Sequence, residues 1–199
     1  MAADMKTTPY CAFEGFKRIG SGELLDVALK AKKVVDRGER APLLVFDNAT
    51  GEQVEIDFRG TPDQVAKRIR ARAMEAKIEP ESDPETLKKV GRPKLGVTAR
   101  EVTLLPRHWE WLNRQPGGAS VTLRKLVEEA RRVNEKPEQI RQAQEAAYKF
   151  MVAVAGNQRG LEEAARALFA RNGKKFDAMI EAWPADVREQ VRMLAEVAF

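Results

Sequence analysis

The segment from Gly91 to Arg132 constrains the fold more than any other part of the chain. It reads GRPKLGVTAREVTLLPRHWEWLNRQPGGASVTLRKLVEEARR. Alternation of apolar residues predicts a short strand over 97–105. Pro106 then marks the start of a helix. The N–H groups of the first helical turn have no partner within the helix, so proline, which lacks an N–H, is well tolerated there. A glycine turn follows and ends at Ser120, which we expect to cap a second helix rich in arginine and lysine. The segment therefore predicts a strand, a helix, a tight turn and another helix.

Positive charge is concentrated in the same part of the chain. The whole sequence of 199 residues has a net charge of +5. Between Lys88 and Arg132, eleven Lys or Arg oppose four Glu, a balance of +7, so the remainder carries −2. Such a local surplus is expected where a protein binds a polyanion. A solvated basic face would have the same composition and is the alternative.

Composition limits the class of protein. A hydrophobic content of 43% supports a packed core, and the length allows one compact domain or two small ones. We find no run of about 18 apolar residues, so no membrane span is expected. The beginning, MAADMKTTPY, lacks the hydrophobic stretch of a signal peptide. A single cysteine, Cys11, cannot build a disulfide framework. We expect a cytoplasmic protein, associated with the nucleoid if it binds DNA.

The region 8–78 is predicted to be a small α/β domain with the order β-α-β-β-α. Loose alternation predicts a strand over Tyr10–Ile19. Apolar residues at helical spacing from Leu24 to Val35 predict a helix, and Gly38 lies just past its end, where a glycine commonly stops a helix.

The second half of this region is predicted to be a hairpin followed by a helix. Residues 43–47 and 53–58 alternate in hydrophobicity and flank the turn-forming residues 48–51, as the two strands of a hairpin do. Thr61 has the side chain of an N-cap, and Pro62 suits the first helical position.

The rest of the chain completes an α+β fold of four regions. Residues 79–96 are polar and proline-containing, which predicts a basic linker. Residues 97–135 hold the strand and helices described above. We expect Pro137 to open an all-helical region, 137–199. Its shorter amphipathic helices are predicted at Leu161–Phe169, Phe176–Ile180 and Val187–Val197.

The linker contains a motif that resembles the AT-hook. Its core is Gly91-Arg92-Pro93-Lys94, preceded by Lys88 and Lys89. Proline fixes the backbone in an extended course while Arg92 and Lys94 project as cations, which suits a narrow A·T-rich minor groove. Val90 stands where the AT-hook has a basic residue, and a plain basic linker is the alternative.

The segment from Val97 to Val133 resembles the ribbon-helix-helix fold of bacterial and phage DNA-binding proteins. Gly118-Ala119-Ser120 matches the Gly-x-Ser turn of that family. The resemblance implies an obligate homodimer, because each subunit supplies one strand of the ribbon. The dimer core would comprise Val102, Leu104, Trp109, Leu112, Leu123, Leu126 and Val127.

The same resemblance implies how double-stranded DNA would be bound. The ribbon would enter the major groove, and the second helix would hold a phosphate at its N-terminus. Phosphate contacts are expected from Lys88, Lys89, Ser120, Arg124 and Lys125, minor-groove contacts from Arg92 and Lys94, and major-groove contacts from the ribbon residues Arg100, Glu101 and Thr103. Glu101 departs from the family pattern, because a carboxylate would repel the phosphates that line the groove. A register shifted by one residue would instead turn Arg100 outward.

No residue pattern indicates an enzyme. His108 is the only histidine, and it lies 97 positions from Cys11. The sequence contains no HExxH motif, CxxC pair or nucleophile elbow, so we expect no catalytic residue, no metal and no cofactor. Trp109 and Trp111 cannot face one core. We expect Trp109 to be buried, whereas Trp111 would contact another subunit, the linker or the C-terminal helices, or stack on a base.

Over nearly its full length the chain also resembles an uncharacterised bacterial family, the domain-of-unknown-function family twenty-two thirty-nine. Gly91–Lys94, Arg100–Trp109, Pro116–Ser120, Leu126–Arg131 and Ala182–Arg188 carry this resemblance. We therefore expect a homodimeric DNA-binding protein with a regulatory or chromosome-associated role. The alternative is a dimeric protein-interaction scaffold that does not bind nucleic acid. In both cases residues 137–199 are available to a protein partner.

Overall fold

The structure, a computed structural model, describes residues 8–38, 40–77 and 100–199, and only the backbone of residues 75–77. The linker predicted over 79–96 lies outside the described residues. So do the AT-hook-like motif, with Arg92 and Lys94, and the neighbouring Lys88 and Lys89.

The fold is mixed α and β, as predicted, and mostly helical. The described residues form a three-stranded antiparallel sheet of order β2-β1-β3, together with seven α-helices. The elements are β1 Tyr10–Glu14, β2 Lys17–Gly22, α1 Leu24–Asp36, β3 Leu43–Asp47, α2 Pro62–Lys77, α3 Pro106–Asn113, α4 Gly118–Ala155, α5 Leu161–Phe169, α6 Gly173–Ile180 and α7 Ala185–Ala195, with a 3₁₀ turn at Glu196–Ala198.

The chain divides into two compact units. Unit one comprises Met1–Ile78 and Pro137–Phe199, and unit two comprises Glu79–Lys136. The boundary at Pro137 falls inside α4. The prediction that Pro137 opens a new helix is therefore wrong. Proline removes the hydrogen bond to the carbonyl of Val133, and its ring crowds that carbonyl. Both residues are exposed, so water can bind the carbonyl that is left free.

Two strand predictions in the N-terminal region are wrong. The single strand predicted over Tyr10–Ile19 is a hairpin, in which Tyr10 pairs with Gly22 and Glu14 with Lys17. The second strand predicted over 53–58 does not form. Only Gln53 bridges to β3, and the apolar side chains beyond it pack against the cluster that α1 forms with the sheet. The observed order is β-β-α-β-α.

Local helix signals in this region are confirmed. Thr61 and Gln64 form a reciprocal capping box at the start of α2. The Thr61 amide donates to Gln64 Oε1 at 3.0 Å, and the Gln64 amide donates to Thr61 Oγ1 at 3.4 Å. Val65 of the same helix is buried, as its position predicts. Gly38 takes the left-handed conformation that ends α1, with φ 82°.

One hydrophobic core joins the N-terminal sheet to the C-terminal helices. Phe150 of α4 packs edge-on against Phe13 of β1 and Phe46 of β3, with ring centroids 5.2 and 5.0 Å apart. A Cβ at Gly51 would lie 2.1 Å from the Ala146 carbonyl oxygen, so this loop reaches α4 only because it has glycine there. The sequence analysis treats residues 8–78 and 137–199 as separate regions, whereas in the structure they pack into a single unit.

The C-terminal helices agree with the prediction. Helix α5 spans Leu161–Phe169 as predicted, and α6 begins one turn earlier than expected because Asn172 caps it by accepting a hydrogen bond from the Lys175 amide at 3.0 Å. Trp183 is buried, and its indole N–H donates to the Arg159 carbonyl at 3.0 Å. In the part of the chain that the structure describes, no helix is long and apolar enough to cross a membrane.

Candidate nucleic-acid interface

Helix α3 begins where the proline predicts. Leu105 is the extended residue before it, and its carbonyl accepts hydrogen bonds from the amides of His108 at 2.8 Å and Trp109 at 3.2 Å. Pro106 takes the first helical position, where no donor is needed. The helix ends at Asn113 after eight residues.

Two consecutive glycines form the turn between α3 and α4. Gly117 and Gly118 have φ values of 88° and 74°, a conformation that other residues rarely adopt. Helix α4 already begins at Gly118. Ser120 therefore lies inside the first turn, and the prediction that its side chain caps the helix is wrong. Its carbonyl instead accepts a hydrogen bond from Arg124 Nε at 3.2 Å.

The described residues of unit two, 100–136, have little core of their own. Among residues 100–136, Leu112 is the one buried side chain, with 3% of its surface exposed. Leu104 and Leu123 are half-buried. The large apolar side chains that remain exposed in this range are Val102, Leu105, Trp109, Trp111, Leu126, Val127 and Val133. Apolar surface exposed on this scale is typical of interaction sites.

The described part of the predicted ribbon, residues 100–105, pairs with no strand of the described chain. Residues 100–105 form no strand, and the backbone of 100–104 makes no hydrogen bond to any other described residue. Arg100, Glu101 and Thr103 are all exposed. A two-stranded ribbon needs a second copy of the strand. The backbone groups of residues 100–104 are available for such pairing, because they make no hydrogen bond to another described residue.

Most of the cations among residues 100–136 form no ion pair with a carboxylate of the described chain. Residues 100–136 carry eight Lys or Arg against five Glu. Arg131 pairs with Glu128 and Arg132 with Glu129, each three residues apart on α4. Within the described residues, the other six form no ion pair; they are Arg100, Arg107, Arg114, Arg124, Lys125 and Lys136. Of the predicted phosphate contacts in this range, Arg124 and Lys125 are thus exposed and available.

The sequence analysis missed a second basic surface on α3. Arg107, Trp111 and Arg114 are four and three residues apart, so they lie on one face of the helix. All three side chains are exposed, and half of the Trp111 surface is accessible. Leu112, two residues before Arg114, faces the other way and is buried. The spacing alone would have revealed this stripe.

Unit one offers less to a charged ligand. A groove of about 990 Å³ runs beside α2 and the segment before it, and Arg59, Arg68 and Arg72 line it. These guanidiniums are engaged within the protein. Arg59 donates to the carboxylate of Asp57, which holds the pKa of Asp57 below its usual range, and Arg68 donates to the Asp57 carbonyl at 2.8 Å. Arg68 and Arg72 of α2 hold residues 55–59 against the helix by donating to backbone carbonyls of that segment.

The thiol of Cys11 is not available as a nucleophile. It is fully buried in the core, and burial raises its pKa to about 12, so it stays protonated at neutral pH. Among the residues that the structure describes, no three His, Cys, Asp or Glu side chains come together as metal ligands would.

Comparison with known proteins identifies a family. A family model described as an uncharacterized protein conserved in bacteria (DUF2239) matches residues 9–195. No curated protein and no solved structure matches the chain significantly.

Proposed function

This chain belongs to the DUF2239 family of bacterial proteins, and we propose that it acts as a homodimeric DNA-binding protein whose second copy completes the core of unit two. The proposal extends to a regulatory or chromosome-associated role. Unit one would supply sensing or partner contacts, including contacts made by residues 137–199.

The observation that carries the proposal is the imbalance between buried and exposed apolar residues in unit two. Leu112 alone is buried among residues 100–136, while seven large apolar side chains are exposed. A segment with so small a core cannot offset the conformational entropy of ordering it. A second copy related by a two-fold axis would cover Val102, Leu126 and Val127 and pair the free backbone of residues 100–104.

The unpaired cations support DNA as the ligand of such a dimer. Arg124 and Lys125 lie at the end of the second turn of α4, and Arg124 reaches back toward the N-terminus, where its Nε donates to the Ser120 carbonyl at 3.2 Å. Helix N-termini and nearby cations bind phosphate oxygens together. Lys125 has no carboxylate partner in the described chain, so binding a phosphate would not require it to leave an ion pair. Two-fold symmetry would present each of these groups twice.

The test is a titration of labelled mixed-sequence duplex DNA with the full chain. Fluorescence anisotropy measures binding at several salt concentrations. We expect binding at low salt and a steep linear fall of log K with log salt, because phosphate contacts release counterions. Replacing Arg124 and Lys125 with alanine should weaken binding without unfolding the protein. A folded dimer that does not bind duplex at low salt would refute DNA binding.

A second candidate is a dimeric scaffold that binds proteins and no nucleic acid. Glu101 supports it, because this carboxylate is exposed in the middle of the predicted ribbon and forms no ion pair within the described residues. Glu101→Gln separates the two candidates. It should strengthen binding to duplex if the ribbon enters the groove, and it should have no such effect if the dimer serves only as a scaffold.

A further inference from the structure

The geometry of α3 points to a second ligand surface, and we propose that Arg107, Trp111 and Arg114 bind single-stranded nucleic acid. In this site an unpaired base stacks on the Trp111 indole while the two guanidiniums bind the flanking phosphates. The proposal goes beyond duplex binding, because it does not require the ribbon to enter a groove.

The two faces of α3 differ in their chemistry. Leu105, Trp109 and Leu112 follow one another at helical spacing on the face that holds the buried Leu112. Trp111 is two residues from Trp109, so its side chain points about 200° away around the helix. Half of its surface is exposed, so Trp111 contributes less stabilising burial to the folded chain than a fully buried indole would.

The cations beside Trp111 are free to bind anions. Neither Arg107 nor Arg114 forms an ion pair within the described residues, although Glu110 lies one turn from both. The α-carbons of the two arginines are about 10 Å apart along the helix axis. An exposed indole between two unpaired guanidiniums matches the combination of aromatic platform and cationic track that binds single strands.

The chemistry favours an unpaired strand over a duplex. In a duplex the bases are stacked on each other, and extruding one costs free energy. An unpaired base presents its π-face without that cost, and every base has such a face. Stacking on Trp111 would therefore be tolerant of sequence. The indole could instead be covered by a protein surface, and the test includes that outcome.

The experiment uses the full chain and an oligo-dT strand, with a duplex of the same length measured in parallel. Tryptophan fluorescence reports stacking and anisotropy reports affinity. Trp111→Ala should weaken oligo-dT binding about 5- to 150-fold, the range found for loss of one base-stacking aromatic. Trp111→Phe retains an aromatic ring, so it should keep most of the affinity but lose the fluorescence quenching.

Charge variants test the phosphate contacts. Arg107→Ala and Arg114→Ala should each reduce the salt slope of oligo-dT binding by about 0.7, the value for one single-strand phosphate contact. Arg131→Ala is the matched control, because Arg131 is already paired with Glu128 at 3.3 Å and should leave the slope unchanged. Circular dichroism should show each variant folded as the original chain.

Several outcomes would overturn the inference. They are unchanged oligo-dT affinity in Trp111→Ala, quenching by oligo-dT that persists undiminished in Trp111→Phe, and acrylamide quenching of the free protein that is the same in Trp111→Phe as in the original chain. The last would show that protein covers Trp111. Duplex binding without oligo-dT binding would refute this inference and leave the proposed function standing. Oligo-dT binding without duplex binding would do the reverse.

Discussion

Replacing Leu126 with alanine is expected to weaken self-association of the chain without disturbing the fold of unit one. Leu126 lies on α4 within unit two, and 47% of its surface is exposed in the single chain. Truncating an exposed side chain usually changes the stability of a folded chain by less than about 0.5 kcal/mol. Most of the effect should therefore appear in the dimer.

The expected magnitude follows from that exposed fraction. Full burial of a leucine side chain contributes about 1.5–3 kcal/mol, so a second copy that covers the remaining 47% would contribute about 0.7–1.4 kcal/mol. Two-fold symmetry doubles this to about 1.4–2.8 kcal/mol per dimer. The dissociation constant should then rise by about 10- to 100-fold.

Sedimentation equilibrium over a wide concentration range measures this constant directly. Val152→Ala is the matched control, because Val152 lies on the same helix, has the same exposed fraction of 47% and belongs to unit one. It should leave the dissociation constant unchanged. A Leu126→Ala constant within twofold of the original would refute the dimer core proposed here, as would a chain that stays monomeric at high concentration.

Three further predictions concern charge, core and thiol. Lys125→Ala should make the duplex salt slope shallower by about 0.9 for each lysine removed, hence by about twice that per dimer, whereas Arg131→Ala should not change it. Phe150→Ala should lower the free energy of unfolding of unit one by about 3–5 kcal/mol, measured by urea denaturation, because the ring is fully buried against the sheet. The free energy of unfolding should fall as pH rises above 9, because the Cys11 thiol has its ordinary pKa of 9.0 in the unfolded chain and a pKa of about 12 in the folded one. Cys11→Ala should remove that fall.

Each of these has a result that would contradict it. An unchanged salt slope in Lys125→Ala would exclude that lysine from phosphate contact. A free energy of unfolding of unit one that Phe150→Ala leaves unchanged would mean that this ring does not join the sheet to the C-terminal helices. Reaction of Cys11 with a thiol reagent at neutral pH in the folded protein would contradict its burial.

Local signals predicted the helices well. The capping residue Thr61 and the prolines at 62 and 106 each act within one turn, so their effect can be read from neighbouring residues. The same holds for the glycine turn between α3 and α4. Non-local features were harder to predict. Residues 53–58 alternate as a strand does, yet packing against α1 and the sheet prevails over full pairing with β3.

The candidate site likewise has features that follow from local sequence and features that depend on tertiary packing. The sequence by itself determined where the cations lie, that α3 and α4 meet at a glycine turn, and that a fold of mixed α and β contains them. Tertiary structure alone decided which apolar residues are covered and which cations are left without a carboxylate. It also decided that Pro137 is tolerated within α4 and that residues 8–78 share a core with 137–199. The physical reason is the sequence distance over which each interaction acts. Caps and turns act through hydrogen bonds a few residues apart, whereas burial depends on surfaces that distant segments supply.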